Sequence, residues 1–334
     1  MHLSSVDMAK RYVERTRTGA RSFKYFHGGR QVSGKDELSY FKSLGIPPAW
    51  KDVRIAVSHN AKIVATGVDK AGRLQYVYNA KFRARQEKEK FERILRFARV
   101  LPKMRRVTDE HLKQPGLPRE KILACIVQLM DKAYFRVGND EYAVSNQHYG
   151  LTTLRSKHTS VRGDTIVFDF VGKSGQANLK KITDKRLAKI VKQLDDLPGY
   201  EIFKYVDQNG DLKDIDSGDV NEYIKSIMGE EFSAKDFRTW GGTLLASIEL
   251  SQTERSHSIN ERKKAVTECV KKVAQKLGNT PAIARASYID PRVIHAYVVT
   301  NDLYKVREAV KTLARAPYLT SDEHCVLNLL EKSP

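Results

Sequence analysis

The sequence predicts an α+β fold: a small N-terminal antiparallel β-sheet domain over residues 1–86, then a larger, mainly α-helical domain over residues 87–334 that contains a small β-hairpin. Three observations predict it. Short apolar runs alternate with turn residues between Phe23 and Tyr78; the apolar residues change to helical spacing from Asn79; and one segment inside the helical part, Asp164–Ile182, returns to the strand period on both sides of a glycine turn. A chain of 334 residues also exceeds the usual size of one compact domain.

In chain order, the apolar runs SFKYF, RIAVSHN, KIVATGVD and LQYVYN read as antiparallel strands. Gly28-Gly29, Asn60 and the segment Asp69–Gly72 supply residues that tolerate tight-turn backbone angles. The next run, KFRARQEKEKFERILRFARVL, carries Phe91, Ile94, Leu95, Phe97 and Ala98 at helical spacing, and the domain boundary is placed near its start. Pro118 is expected at the first position of a further helix and Gly138 as its left-handed cap, which puts Arg136 in the last turn. The apolar stripe of that helix is Ile122, Leu123, Ile126, Val127, Met130, Ala133 and Tyr134.

The hairpin follows, with Lys173 at its tip. Helices are then expected from about Lys235 to Leu250, from Glu261 to Leu277 with Gly278 as terminator, and as a pair after Pro291. No repeat or low-complexity segment interrupts the pattern.

A formal net charge of +19 projects a positive field that concentrates polyanions, so nucleic acid is the leading partner. A solvated basic protein is the bland alternative. Membrane spans and a secretory leader are not expected, since no apolar run approaches the roughly 20 residues that cross a bilayer. Cys125, Cys269 and Cys325 lack the paired spacing of a zinc site or disulfide framework and are read as buried thiols. Gly172-Lys173-Ser174 ends like a phosphate-binding loop, but Val167 stands where its first glycine must be, so nucleotide is not an expected ligand. Gly28-Gly29 with Gly34 lacks the helix that a dinucleotide loop requires.

Four segments of the second domain hold the informative residues: FRVGND around Arg136, FVGKSG around Lys173, KDFRTWGG around Arg238, and LGNTPAIARASYIDP with Asn279 and Tyr288. Two arginines, a lysine, an amide and a tyrosine are a kit for phosphoryl transfer without metal. Guanidinium forks neutralise the charge that builds on non-bridging oxygens, and a phenol beside positive charge becomes easier to ionise. Taken singly, each residue has a duller reading: a helix-end arginine, a solubilising turn lysine, a half-buried aromatic.

These four segments, in this order and spacing, resemble those of the type IB DNA topoisomerases, in particular the short poxvirus-like and bacterial enzymes. The resemblance implies that Arg136, Arg238 and Asn279 bind the scissile phosphate, Lys173 protonates the departing 5′ oxygen, and Tyr288 becomes joined to the 3′ phosphate. It implies relaxation of supercoiled duplex DNA without ATP, metal or other cofactor, by a monomer that closes a C-shaped clamp around the duplex.

Upstream, TGVDKAGRLQYVYN is similar to a DNA-contacting strand of the family, which implies duplex contacts by Arg73, Gln75, Tyr76 and Tyr78 in an N-terminal DNA-clamp domain. Gln75 faces the opposite way from Tyr76 and Tyr78 in a regular strand, so the four cannot all touch DNA alike. With GIPPAWKDV, the resemblance runs from about Gly45 to Pro291 and leaves the last residues unassigned. Poxvirus enzymes carry histidine where Asn279 stands and bacterial relatives carry asparagine, which points to a bacterial source and a cytoplasmic, nucleoid-associated protein, or virion and host cell if viral. An amide donates a hydrogen bond but moves no proton, so Asn279 is assigned to phosphate binding.

Two rivals remain. Tyrosine recombinases share much of the kit but place histidine three residues before the second arginine, where this chain has Lys235, and they commonly begin with a helical domain. A non-catalytic basic DNA-binding protein predicts that Tyr288→Phe changes nothing.

Overall fold

The computed structural model describes residues 11–138, 143, 147–254, 256–300, 303, 304, 308 and 317–332. The chain divides into two compact units, Met1–Lys90 and Phe91–Pro334.

The first unit is a six-stranded antiparallel sheet. Its strands are β1 (Tyr12–Arg17), β2 (Phe23–His27), β3 (Arg30–Gln31), β4 (Lys51–Ala56), β5 (Ile63–Val68) and β6 (Leu74–Tyr78), in the order β3-β2-β1-β4-β5-β6. One face packs Val13, Tyr25, Val53, Ile55 and Ala65 against Phe41 of α1 (Lys35–Ser43). Strand β1 and helix α1 lie outside the expected elements. In β1 the charged YVERTR run buries only Val13, so hydropathy alone does not mark it. The strand β6 alternates as expected: Leu74, Tyr76 and Tyr78 are exposed, while Gln75 and Val77 lie on the other face.

Helix α2 runs from Ala80 to His111 and so continues past Pro102, where the sequence reading stopped. An interior proline costs about 3 kcal/mol. Burial of Ile94, Phe97, Ala98, Leu101 and Met104, at about 1.5–3 kcal/mol for each large side chain, outweighs it.

The second unit is built around α3 (Arg119–Ala133), whose residues Lys121–Met130 are all buried. A helix buried on every side is a central helix, not the one-sided stripe expected from its sequence. Its one lysine there sends Nζ to the carbonyls of Gln114 and Gly116, 2.8 Å from each. Pro118 proves to be the N-cap, and the left-handed cap is Tyr134 (φ 58), not Gly138. Arg136 therefore lies beyond the helix, in a segment without regular secondary structure, instead of in its last turn. That segment is fixed by Leu151 N–H to Arg136 O (2.9 Å) and Thr152 N–H to Val137 O (2.7 Å). Asn139 and Asp140 of the FRVGND segment lie outside the described residues.

The hairpin becomes three strands, β7 (Thr159–Arg162), β8 (Thr165–Gly172) and β9 (Gln176–Thr183), with Lys173 in the tight turn Lys173–Gly175. Helix α4 (Lys185–Asp195), the small pair β10 (Lys204–Val206) and β11 (Leu212–Asp214), and α5 (Ser217–Met228) follow and were not anticipated. Helices α6 (Ala234–Gln252) and α7 (Ile259–Leu277) match the expected runs, and α7 ends at Gly278 in the left-handed conformation (φ 63). Next come α8 (Pro281–Ser287), α9 (Pro291–His295), a π-helical turn (Ala296–Thr300) and α10 (Ser321–Lys332). Residues 309–316, between the elements expected after Pro291, lie outside the described residues.

A buried ionic cluster ties α10 to the core. Arg105 of α2 donates to Asp131 of α3 (2.7 Å) and to Glu323 of α10 (2.7 Å), and Trp240 of α6 donates to the same Glu323 at 3.3 Å. Cys125, Cys269 and Cys325 are all buried. No helix among the described residues is long and apolar enough to cross a membrane, and they contain no cluster suited to a metal ion.

Candidate active site

Arg136, Lys173, Arg238, Asn279 and Tyr288, drawn from distant parts of the chain, line one cavity of about 310 Å³ in the second unit. Each arrives by a different structural device. Arg136 comes from the pinned segment after α3, and Lys173 from the turn between β8 and β9. Arg238 lies in the first turns of α6, where Ser233 and Asp236 form a capping box and Arg93 pairs with the buried Asp236 at 3.1 Å. Asn279 follows the left-handed Gly278. Tyr288 caps α8, its N–H bonded to Ala284 O at 3.0 Å and its carbonyl accepting from Thr243 Oγ1 at 3.2 Å. The same threonine oxygen accepts from Asp290 N–H at 3.1 Å, so α6 grips the backbone on both sides of the tyrosine.

Close packing explains the double glycine of KDFRTWGG. A Cβ on Gly242 would sit 2.6 Å from the Tyr288 carbonyl oxygen, and one on Gly241 would sit 2.2 Å from the Tyr134 ring.

The two guanidinium groups are held by main-chain oxygens. Arg238, only 3 % exposed, donates from Nη1 to Tyr134 O (2.5 Å) and from Nη2 to Leu277 O (2.9 Å). Arg136 donates from Nη2 to Gly278 O (3.0 Å) and to Asn279 Oδ1. Among the described residues neither arginine pairs with a carboxylate, which leaves their positive charge for a ligand. Buried Arg238 Nε and Asn279 Nδ2 have no hydrogen-bond partner among the described residues. Buried donors of this kind are costly unless something accepts from them.

The charges bear directly on the phenol. The Arg238 guanidinium lies over the Tyr288 ring, with Cζ 4.9 Å from its centroid. Burial alone pushes the Tyr288 hydroxyl up, but Arg238 first, then Arg136 and Lys173, outweigh it and hold the phenol below its ordinary value. Burial, helped by Arg238, pulls Arg136 down to about 10. Burial likewise lowers Arg238. Tyr297, another tyrosine of the same region, is fully buried in the core and cannot meet a macromolecular substrate without unfolding.

The sequence reading missed several lining residues: Ser174, Gln176, Thr280 and Ile283, and Lys235 as a cavity residue. It also missed Lys180, which donates from β9 to Lys276 O. The available signal was the inverted polarity of β9, where Asn178 is buried and Leu179 is 62 % exposed.

In the first unit, Arg73 and Gln75 both donate to Asp69 Oδ2, each at 2.9 Å, and the Arg73 bonds hold the Asp69 carboxyl down to about 2. The exposed Tyr76 and Tyr78 instead form an aromatic row with Phe82, with ring centroids 6.2 and 6.0 Å apart. Lys62 Nζ stands 4.8 Å from the Phe82 ring.

The sequence matches the family described as the catalytic core of eukaryotic DNA topoisomerase I over residues 79–312. It matches the N-terminal domain of bacterial DNA topoisomerase IB over residues 22–69. The chain is 33 % identical over 282 residues to a DNA topoisomerase 1B of Acanthamoeba polyphaga mimivirus, covering 82 % of this chain and 84 % of that one. It is 26 % identical over 238 residues to a DNA topoisomerase 1B of vaccinia virus, covering 70 % and 72 % of the two chains. These matches extend beyond Gly45–Pro291, the span of resemblance seen in the motifs.

Proposed function

This chain belongs to the type IB DNA topoisomerase family, and we propose that Tyr288 is its nucleophile, Arg136, Arg238 and Asn279 its phosphate clamp, and Lys173 its general acid. As a member, it is an ATP-independent enzyme that relaxes supercoiled duplex DNA by cutting one strand through a 3′-phosphotyrosyl intermediate, letting it swivel, and religating it. The matches lend nothing to the recombinase alternative.

The observation that carries the assignment is the pair of orphaned buried donors, Arg238 Nε and Asn279 Nδ2, at the wall of the cavity that also holds the phenol. A phosphodiester supplies the missing acceptors. In the forward step Tyr288 Oη bonds to phosphorus as the P–O5′ bond breaks. The phenolic proton leaves to solvent, eased by Arg238, and the departing O5′ takes a proton from Lys173 Nζ. The arginines and the amide meet the charge that grows on the non-bridging oxygens. Religation reverses each transfer. One phosphodiester is exchanged for another, so the bond energy is conserved and the chemistry needs neither ATP nor metal.

We further assign residues 1–86 to a DNA-gripping domain and 87–334 to catalysis, the two closing on one duplex as a C-shaped clamp formed by a monomer. Tyr76 and Tyr78 contact the duplex from the exposed face of β6; Arg73 and Gln75 do so if DNA phosphate displaces Asp69 from them. The protein works inside the cell, at the nucleoid of a bacterium. The deciding experiment is incubation with supercoiled plasmid in EDTA, where wild type yields relaxed topoisomers and Tyr288→Phe yields none. An adduct trapped on any other tyrosine overturns the assignment.

A further inference from the structure

Where α7 ends, three consecutive carbonyls each receive a cation. Lys180 from β9 donates to Lys276 O, Arg238 to Leu277 O at 2.9 Å, and Arg136 to Gly278 O at 3.0 Å. The last carbonyls of a helix lack intrahelical donors and stand at the negative end of its dipole, so each cation gains both an acceptor and a favourable field there. Lys180 reaches this place because β9 presents Asn178 and Lys180 inward. Asn178 packs so closely on the helix terminus that a Cβ on Gly278 would lie 2.5 Å from its Oδ1.

We propose that Lys180 is a positioning residue for strand cleavage: by holding Lys276 O it steadies the helix end on which Arg136 and Arg238 are anchored, and its charge adds to the positive field that receives the scissile phosphate. The inference rests on the phosphate-clamp role of those arginines. Lys180 is not among the residues lining the cavity, so it acts through its neighbours.

The surroundings of Lys180 make its charge conditional. Across the sheet β8 presents the apolar Phe168, α7 presents a carbonyl, α6 presents Arg238, and the segment after α3 presents Arg136. Burial first, then Arg238 and Arg136, pull the ammonium down to about 8. A negative phosphate between the arginines favours the protonated form. Alkaline conditions remove the charge and with it part of the field that organises the clamp.

The test is single-turnover cleavage of a duplex by the full chain, comparing wild type with Lys180→Met, Lys180→Arg and Tyr288→Phe across pH. Lys180→Met should cleave roughly tenfold or more slowly at neutral pH, the scale on which outer supporting groups act, with duplex affinity little changed. Lys180→Arg should match wild type below neutrality and outpace it above a pH of about 8, because guanidinium keeps its charge. A Lys180→Met enzyme with the wild-type rate and pH profile overturns the proposal, as does a Lys180→Arg profile parallel to wild type throughout. Thermal melting checks folding; if Lys180→Met melts early, the Lys180→Arg profile alone decides. Cleavage by Tyr288→Phe would instead defeat the underlying assignment of roles, independently of Lys180.

Discussion

Arg136 donates to the side-chain oxygen of Asn279, a cavity-lining residue, which leaves Nδ2 as the end of that amide without a hydrogen-bond partner among the described residues. The arginine thus fixes which way the amide points, and the end left over is a donor, as a phosphate oxygen requires. Asn279→Asp should slow single-turnover cleavage about 10²- to 10³-fold, since a carboxylate would pair with Arg136 and repel the substrate. Asn279→His, which keeps a donor, should retain much of the rate. Equal losses in the two variants would contradict this role.

The phenol of Tyr288 is held below its usual range chiefly by Arg238, against burial. Its folded value lies below the unfolded one, so the phenolate forms at lower pH in the protein than in the free side chain. The cleavage rate should therefore stop rising with pH before about 10, the ordinary tyrosine value. In Arg238→Lys or Lys173→Ala the bend in that profile should move upward. A wild-type bend at or above the free value would show that the charges do not act on the phenol.

Gly242→Ala tests the seating of the nucleophile. Its new Cβ would press on the Tyr288 carbonyl at 2.6 Å and must displace it. A shift of about 1 Å can cost about 10²-fold in rate, so cleavage should drop by that order while duplex affinity in a gel-shift assay changes little.

Glu323, 1 % exposed, ties α10 to Arg105 and Trp240. Burial pushes its carboxyl up, but the Arg105 bonds more than offset this and hold it below its ordinary value. The sign follows: its stabilisation is complete above the unfolded value of about 4.5 and fades as pH falls through the lower folded one. Urea unfolding should show Glu323→Ala less stable by about 3 kcal/mol at neutral pH, the low end for a broken buried pair because Asp131 still faces Arg105. That difference should shrink in acid. A constant difference across pH would place the effect in packing alone.

Duplex affinity should fall steeply with salt, by about 10³- to 10⁵-fold between about 50 and about 200 mM if roughly six to ten phosphates are neutralised. Tyr76→Ala should weaken binding at every salt concentration without changing the slope, because a phenol ring displaces no counterion. A shallow salt dependence in wild type would count against an encircling grip.

The β6 alternation, the α7 terminator at Gly278 and the four motif segments were legible because each follows from a local rule: period, cap chemistry or spacing. What was not legible depends on tertiary partners. Nothing in DKAYFRVG says that the left-handed turn falls on Tyr134, since it is the close fit of that ring on Gly241 that supports it. Helix α2 runs through Pro102 because a core forms along it, and α3 is wrapped on all sides where its sequence suggested one exposed flank. Helices α4 and α5 did carry local signals, the Asp184 and Asp216 caps, and lay outside the expected elements all the same. For the site, five of the lining residues were legible but not what orients them, because main-chain acceptors leave no trace in side-chain identity.

The anchoring of two arginines and a lysine on the oxygens of residues 276–278 has a consequence for how this enzyme tolerates change. Every amino acid brings the same carbonyl, so no replacement at Lys276 or Leu277 can delete an anchor; only a shift of the helix end can. Drift at the exposed Lys276 side chain is thus uncoupled from the chemistry, Leu277 must stay apolar because it is buried in the core, and lengthening or shortening α7 by one residue would move all three charges together.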